Sequence, residues 1–418
     1  VPDARLRRDV AWNLAPVALL GVVGLGLSFA IARVWGAAAY GVFNLVSTAY
    51  FAFAVLGACG LQYAVLRAVA EAPDEPDRVA AVVVGALVPA AGLTAVTTAA
   101  FLLLRPAIAR WLDSPDVAEG MAWAAPALAC FALNKVLFGV VNGLRRMRAF
   151  AVYTSLRYVL IAGGLAIAYA AELRAAALPG IWSFAEAGVL VALLGELVAT
   201  VRLSRAAGWP AWARRHLAFG ARGVVATLAY ELNTKLDVWM VGVLIADKAT
   251  VGIYALAAAL NEGVAQLAQV VQNNLDPVIA RELAGGAALH ELVRRTRRWF
   301  VPALAAICAL AALTYPVIIP RLIGDPAFAA GAAPFAILMA GVALASPLLP
   351  FAHVLLMARR PGWHTVLLVI TIALNVAGNA ALIPRLGVAG AAASTAGTLI
   401  ASMLLLRALA RRRAGVQL

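Results

Sequence analysis

At 418 residues, with 64% hydrophobic and only 13% charged residues and a mean hydropathy of +0.90, the chain has too little polar surface to be a water-soluble globule. The formal net charge of +14 would point to nucleic acid in a soluble protein. Its distribution follows the membrane rule instead, so no nucleic-acid partner is expected.

Apolar runs of about 20 residues, enough to cross a roughly 30 Å hydrocarbon layer at 1.5 Å per residue, recur from end to end. In chain order they predict helices near 10–34, 42–66, 79–104, 120–143, 150–171, 180–201, 219–245, 251–277, 299–320, 328–357, 364–383 and 388–408. About twelve spans, an even number, return both termini to one side of the membrane. The charged opening VPDARLRRD precedes no small-residue cleavage site, which predicts a first transmembrane helix rather than a removed signal peptide. Arginines crowd alternate connections, for example Arg5, Arg7 and Arg8, then Arg145, Arg146 and Arg148, then Arg294, Arg295, Arg297 and Arg298, then Arg411, Arg412 and Arg413. The opposite connections hold only Arg33, Arg105, Arg110, Arg174, Lys248, Arg321 and Arg385. That asymmetry predicts cytoplasmic termini. Cys59, Cys130 and Cys308 all fall inside spans, where small buried packing is the expected role.

The chain carries weak internal similarity. YGVFNL at Tyr40–Leu45 lies opposite VGIYAL at Val251–Leu256, and the same offset carries Arg174 onto Arg385. The fold expected is therefore an all-α polytopic membrane protein of about twelve transmembrane helices, in two six-helix lobes related by a pseudo-two-fold along the membrane normal. Residues 1–201 form the N-lobe, 202–218 a cytoplasmic amphipathic linker and 219–418 the C-lobe. Trp209, Trp212, Arg214 and Arg215 suit a linker lying on an anionic leaflet, with His216 as a surface residue. Two lobes around a central polar cavity are an architecture for alternating access.

A charge at the centre of a membrane helix costs roughly 2.5–3.5 kcal/mol on insertion scales, so each one needs a partner, water or neutralisation. The stretch YELNTKLDVWMVG, Tyr230–Gly242, places Glu231 and Lys235 on one helix face and Asn233 and Asp237 on another. Lys235 lies about 16 Å below the outer end of its span. Two readings stand: an internal Glu231–Lys235 ion pair with Asp237 bonded to a neighbouring helix, or at least one face lining an aqueous lumen. Lys135, Arg157, Glu186, Glu196 and Glu262 are further candidates, Lys135 and Arg157 either facing the lumen or snorkelling to the interface. Along the eighth span Asn261, Gln269, Gln272 and Asp276 form a polar stripe, accompanied by Asn273, that suits either sugar hydroxyls or a wet helix interface. Glu231, Asp237 and Glu262 are candidates for carrying a coupling ion. No zinc-protease, phosphate-loop or paired-cysteine motif and no large extramembrane loop is present, so neither an enzyme, a metal nor a cofactor is expected.

Three stretches resemble the Wzx-type polysaccharide-unit flippases of the multidrug, oligosaccharidyl-lipid and polysaccharide exporter superfamily. They are Ala32–Glu71 with its Tyr-Gly and Gly-Leu steps, Leu236–Leu283 with Asp237, Gly252, Tyr254 and Pro277, and the Asn-rich Leu374–Thr395. The resemblance implies transfer of an undecaprenyl-diphosphate-linked oligosaccharide from the inner to the outer leaflet of a bacterial plasma membrane, the lipid tail staying in the bilayer. It assigns phosphate contacts to Arg33, Arg67, Lys135, Arg157 and Lys235, with weaker sugar contacts expected at Asn233, Asn261, Gln269 and Asn273. A monomer in contact with membrane lipid and a polysaccharide polymerase is the partner expectation. A cation-coupled multidrug antiporter of the same superfamily is the alternative, and a peptidoglycan-precursor flippase, which usually has two more helices, a further one. A polyprenyl-sugar polymerase is disfavoured by the short outer loops.

Overall fold

The computed structural model describes residues 4–284 and 289–418, with side chains at all of them except 4–18, 20, 205, 225–227, 229–234 and 284. Among the described residues there is no strand. A helix satisfies every backbone donor and acceptor within its own segment, which is the condition for crossing hydrocarbon. The elements are α1 (Ala4–Ala58), α2 (Leu61–Glu71), α3 (Pro76–Trp111), α4 (Pro115–Gly143), α5 (Met147–Ala170) and α6 (Gly180–Thr200). Then follow α7 (Trp209–Leu244), α8 (Lys248–Ala284), α9 (His290–Ile323), α10 (Ala332–Ala345), α11 (Val354–Met357), α12 (Pro361–Leu386) and α13 (Val388–Ala414).

Ten helices among the described residues are long and apolar enough to cross a membrane. The first of these, Gly21–Ala58, is two helices divided by a kink at Gly36, whose φ of 85° and ψ of 174° only glycine adopts without strain, and is counted as two spans. Helix α7 supplies a further span in spite of its polar run, which makes the protein a polytopic membrane protein of about twelve crossings. Strongly exposed Leu103, Val191, Val198 and Leu313 fit helices whose outer faces meet lipid tails.

Three departures from the sequence reading have local causes. The loop expected between 34 and 42 is replaced by the single-residue kink at Gly36. The second span does not continue to residue 66, because Cys59 and Gly60 both take positive φ, 45° and 66°, and divide α1 from α2. The expected helix 328–357 is interrupted by a 3-10 turn at Leu349–Phe351, flanked by Pro347 and containing Pro350, which separates α10 from α11.

The chain forms two compact units, one comprising residues through Ser28 with Val42–Leu232, the other Phe29–Gly41 with Asn233–Leu418. These bounds differ from the lobes and linker drawn from the sequence. Helix α7 runs unbroken from Trp209, and its residues through Leu232 belong to the first unit rather than to a free linker or the C-lobe. In that unit Leu61, Val65, Val82, Val83, Val136, Val140, Val189 and Leu193 form the core. There α4 and α2 approach closely, since a β-carbon on Gly139 would stand 2.6 Å from the Gln62 carbonyl. In the second unit Ile279, Val293, Phe351, Leu355 and Leu406 anchor the core. The glycines of the matching motifs YGVFNL and VGIYAL meet there: a β-carbon on Gly41 would strike the Lys248 carbonyl, and one on Gly252 the Ala37 carbonyl. Both contacts repeat at the same sequence offset.

Candidate functional site

In the first unit, α4, α5 and α6 bring together the charges that the sequence scatters over fifty residues. Arg157 lies about 15 Å along α5 from its start, at a depth where an isolated guanidinium is costly. Its Nη2 donates to Glu186 Oε2 at 3.1 Å, and its Nε stands 3.0 Å from Oε1. Asn134 Nδ2 donates to the same Oε2 at 2.7 Å and to the Glu186 carbonyl at 2.9 Å. Glu186 is 3% exposed, so this three-residue network is what permits a carboxylate inside the bundle. Arg157 also rests on the Phe138 ring, with its guanidinium carbon 5.2 Å from the centroid.

Arg157 and Glu186 form one wall of a cavity of about 330 Å³ lined also by Tyr50, Phe51, Phe131, Lys135, Tyr158 and Trp182. Trp182 stacks on Tyr50 at 6.3 Å, with Phe131 edge-on to Tyr50 at 5.9 Å. Lys135 Nζ lies 5.1 Å from the centre of the Phe131 ring. Arg157 turns to Glu186, and Lys135 holds its ammonium near the Phe131 ring. Tyr50 OH, Trp182 Nε1 and Gln62 Oε1 are buried in this lining without a protein hydrogen-bond partner among the described residues. Buried polar atoms normally find partners, and these three are placed to bond water or a ligand in the cavity. Chemically the cavity offers two cations, aromatic faces and undirected hydroxyl and indole donors.

The second unit treats its charges differently. Lys235 Nζ donates to both oxygens of Glu262, at 2.7 and 3.0 Å, so the partner of Lys235 lies on α8. The side chains of Glu231 and Asn233, the other charge and the amide expected in this stretch, lie outside the described residues. Asp237 is buried, accepting from Tyr254 OH at 2.8 Å, from the Val238 amide at 2.8 Å and from Thr395 Oγ1 at 3.4 Å. Gln269 Nε2 donates to Asn273 Oδ1 at 3.0 Å on an exposed face, while Asn261 Oδ1 is buried without a described partner. Asp276, the end of the polar stripe, pairs with His353 Nδ1 at 2.8 Å.

Arg33 and Arg67 are not brought to either cluster. Arg33 Nη1 donates to the Leu322 carbonyl at 2.8 Å, and Arg67 pairs with Glu71 one turn along α2, with its side chain 72% exposed. Sequence reasoning missed Tyr50, Trp182 and Asn134, because aromatic and amide residues on three helices carry no spacing signal. Glu186 was visible only as an unexplained charge in an apolar run.

Residues 30–325 match the family described as "Polysaccharide biosynthesis protein". Among solved structures, the chain is similar to an inward-facing multidrug resistance MATE family transporter of the MOP superfamily, at TM-score 0.75 and 13% identity over 94% of each chain. It is also similar to the lipid II flippase MurJ in an inward closed conformation, at TM-score 0.72 and 10% identity over 95% of this chain and 86% of that one. An outward-facing MATE family transporter matches at TM-score 0.56 and 14% identity, over 98% of this chain and 94% of the other. At such identities the likeness is one of fold. No curated protein matches the sequence.

Proposed function

Because the chain belongs to the polysaccharide biosynthesis protein family, we propose that it is a flippase. Its cargo would be a polyprenyl-diphosphate-linked oligosaccharide, moved from the cytoplasmic to the outer leaflet of a bacterial plasma membrane by alternating access. The observation that carries this reading is the first unit's cavity, with Lys135 and Arg157 beside Tyr50 OH and Trp182 Nε1, which have no partner among the described residues. A diphosphate is met by cations, Arg157 offering a planar fork and Lys135 a point charge. Sugar faces stack on the aromatic wall, and sugar hydroxyls accept from the phenol and indole. In the second unit Lys235, opened from Glu262, is a further phosphate contact, with Asn261, Gln269 and Asn273 on the sugar side and Glu262 or Asp237 coupling an ion. Arg33 and Arg67 contribute outside the cavity, as approach charges.

The alternative, a cation-coupled multidrug antiporter, draws on the same aromatic wall and on Glu186. Arg157 already neutralises that carboxylate, which favours an anionic cargo over a cationic one. The test is to replace Lys135 by Ala in cells that depend on this protein for surface polysaccharide. Loss of surface glycan with the protein still in the membrane is expected. Normal glycan, together with salt-dependent dye export from vesicles, would transfer the assignment to the antiporter.

A further inference from the structure

The end of the first unit that carries the turn between α2 and α3 has a separate open groove of about 770 Å³, lined by Asp77, Arg78, Ala81, Ala207, Trp212 and Arg215. Its back wall is the start of α7, which is locked onto α3. A β-carbon on Gly85 would stand 2.6 Å from the Trp212 β-carbon, and His216, 2% exposed, reaches the Val82 carbonyl at 3.3 Å. The residues read from the sequence as a surface linker therefore form a fixed ledge, and His216 is buried in its foundation. On that ledge Trp212 carries two guanidinium groups, Arg78 at 5.6 Å and Arg215 at 4.9 Å from its ring centre. Arg78 Nη2 also reaches Glu71 at 3.3 Å, yet its buried Nε has no hydrogen-bond partner among the described residues. A buried guanidinium donor held beside an open groove is costly unless an acceptor arrives from outside.

The geometry points to a binding site for the phosphodiester head group of an anionic membrane lipid, with Arg78 and Arg215 holding the phosphate and Trp212 set at head-group depth. Three features favour this occupant. The groove opens at the end of a membrane-crossing helix, where indole rings sit between hydrocarbon and water. Asp77 is the one carboxylate among its lining residues against two guanidiniums, so it selects anions. Its small apolar floor, Ala81 and Ala207, leaves room for glycerol and the first acyl carbons. The inference rests on the reading that this end faces the cytoplasmic leaflet, where anionic lipid accumulates. It does not depend on which cargo the protein moves.

Native mass spectrometry of the detergent-purified full chain, titrated with phosphatidylglycerol or phosphatidylethanolamine, tests it. Wild type is expected to hold phosphatidylglycerol preferentially, and the Arg78→Gln/Arg215→Gln protein to lose that retention about tenfold or more. Arg67→Gln, which disturbs the same Glu71 network outside the groove, and the charge-matched Arg105→Gln/Arg110→Gln protein at the other end of α3 should retain the lipid. Arg215→Gln alone keeps the Arg78–Glu71 pair, and is expected to weaken binding without lowering the melting temperature. Equal retention by the groove variant and the charge-matched control would overturn the proposal. So would equal retention of phosphatidylethanolamine by wild type, or displacement of the lipid by millimolar inorganic phosphate.

Discussion

The two units meet the same problem, charge inside a membrane, in different settings. In the second unit the described charges are paired, although Asn261 Oδ1 is buried there without a described partner: Lys235 donates to both oxygens of Glu262, and Asp237 accepts from Tyr254, Thr395 and the Val238 amide. In the first, Arg157 and Glu186, the latter held by Asn134, stand in the wall of a cavity whose aromatic lining leaves Tyr50 OH and Trp182 Nε1 without partners among the described residues. A saturated cluster fixes packing, whereas an unsaturated one beside a cavity is equipped to receive a ligand. On the proposed function, cargo recognition falls first to the first unit, with the second supplying a coupling contribution.

The largest expected effect comes from breaking the buried pair. Arg157→Ala leaves Glu186 uncompensated, which should cost about 3–5 kcal/mol and lower membrane levels as well as surface glycan. Arg157→Ala/Glu186→Ala should recover much of the level, measured by fluorescence-detected gel filtration after heating, while glycan stays absent. Recovery of both would reduce the network to packing. Next, Asp237→Ala strands the Tyr254 hydroxyl, for a loss of about 1–3 kcal/mol in the same assay, and Asp237→Asn should lose much less if the seal is structural. A large effect of Asn on transport with none on stability would instead assign Asp237 to ion coupling.

Two further substitutions sharpen the contrast at lower cost. Lys135→Ala takes the ammonium away from the Phe131 ring, a stability loss of about 1–2 kcal/mol. Transport should fall about tenfold, the weight of one charge-assisted contact. The smallest stability change is expected for Lys235→Met/Glu262→Gln, at most about 1 kcal/mol, because both side chains are more than a third exposed and water screens them. Unchanged glycan in this double variant would leave the second unit without a cargo contact.

The helices were legible in the sequence because a bilayer demands about twenty apolar residues per crossing, and few soluble alternatives share that pattern. The repeat was legible too, and the glycines of YGVFNL and VGIYAL meet at one close crossing. Breaks were less so: the one at Gly36 falls inside the connection expected between 34 and 42, but Cys59-Gly60 interrupts an apolar run whose composition does not change at the break. The partners of charges were the least legible. Lys235 shares a helix face with Glu231 by spacing, yet its partner among the described side chains is Glu262, brought in by α8. Arg157 and Glu186, separated by a whole connection, become neighbours only once α5 packs on α6. The aromatic wall draws Tyr50, Phe131 and Trp182 from three different helices, a convergence that no one-dimensional period records.

Reconstitution with a defined cargo tests the central claim most directly. Proteoliposomes loaded with a polyprenyl-diphosphate oligosaccharide on the inner leaflet should expose it to an external glycan-binding probe at a rate set by the protein, and Lys135→Ala should slow that rate about tenfold. Exposure no faster than in protein-free liposomes, with wild-type protein folded and correctly inserted, would contradict the account.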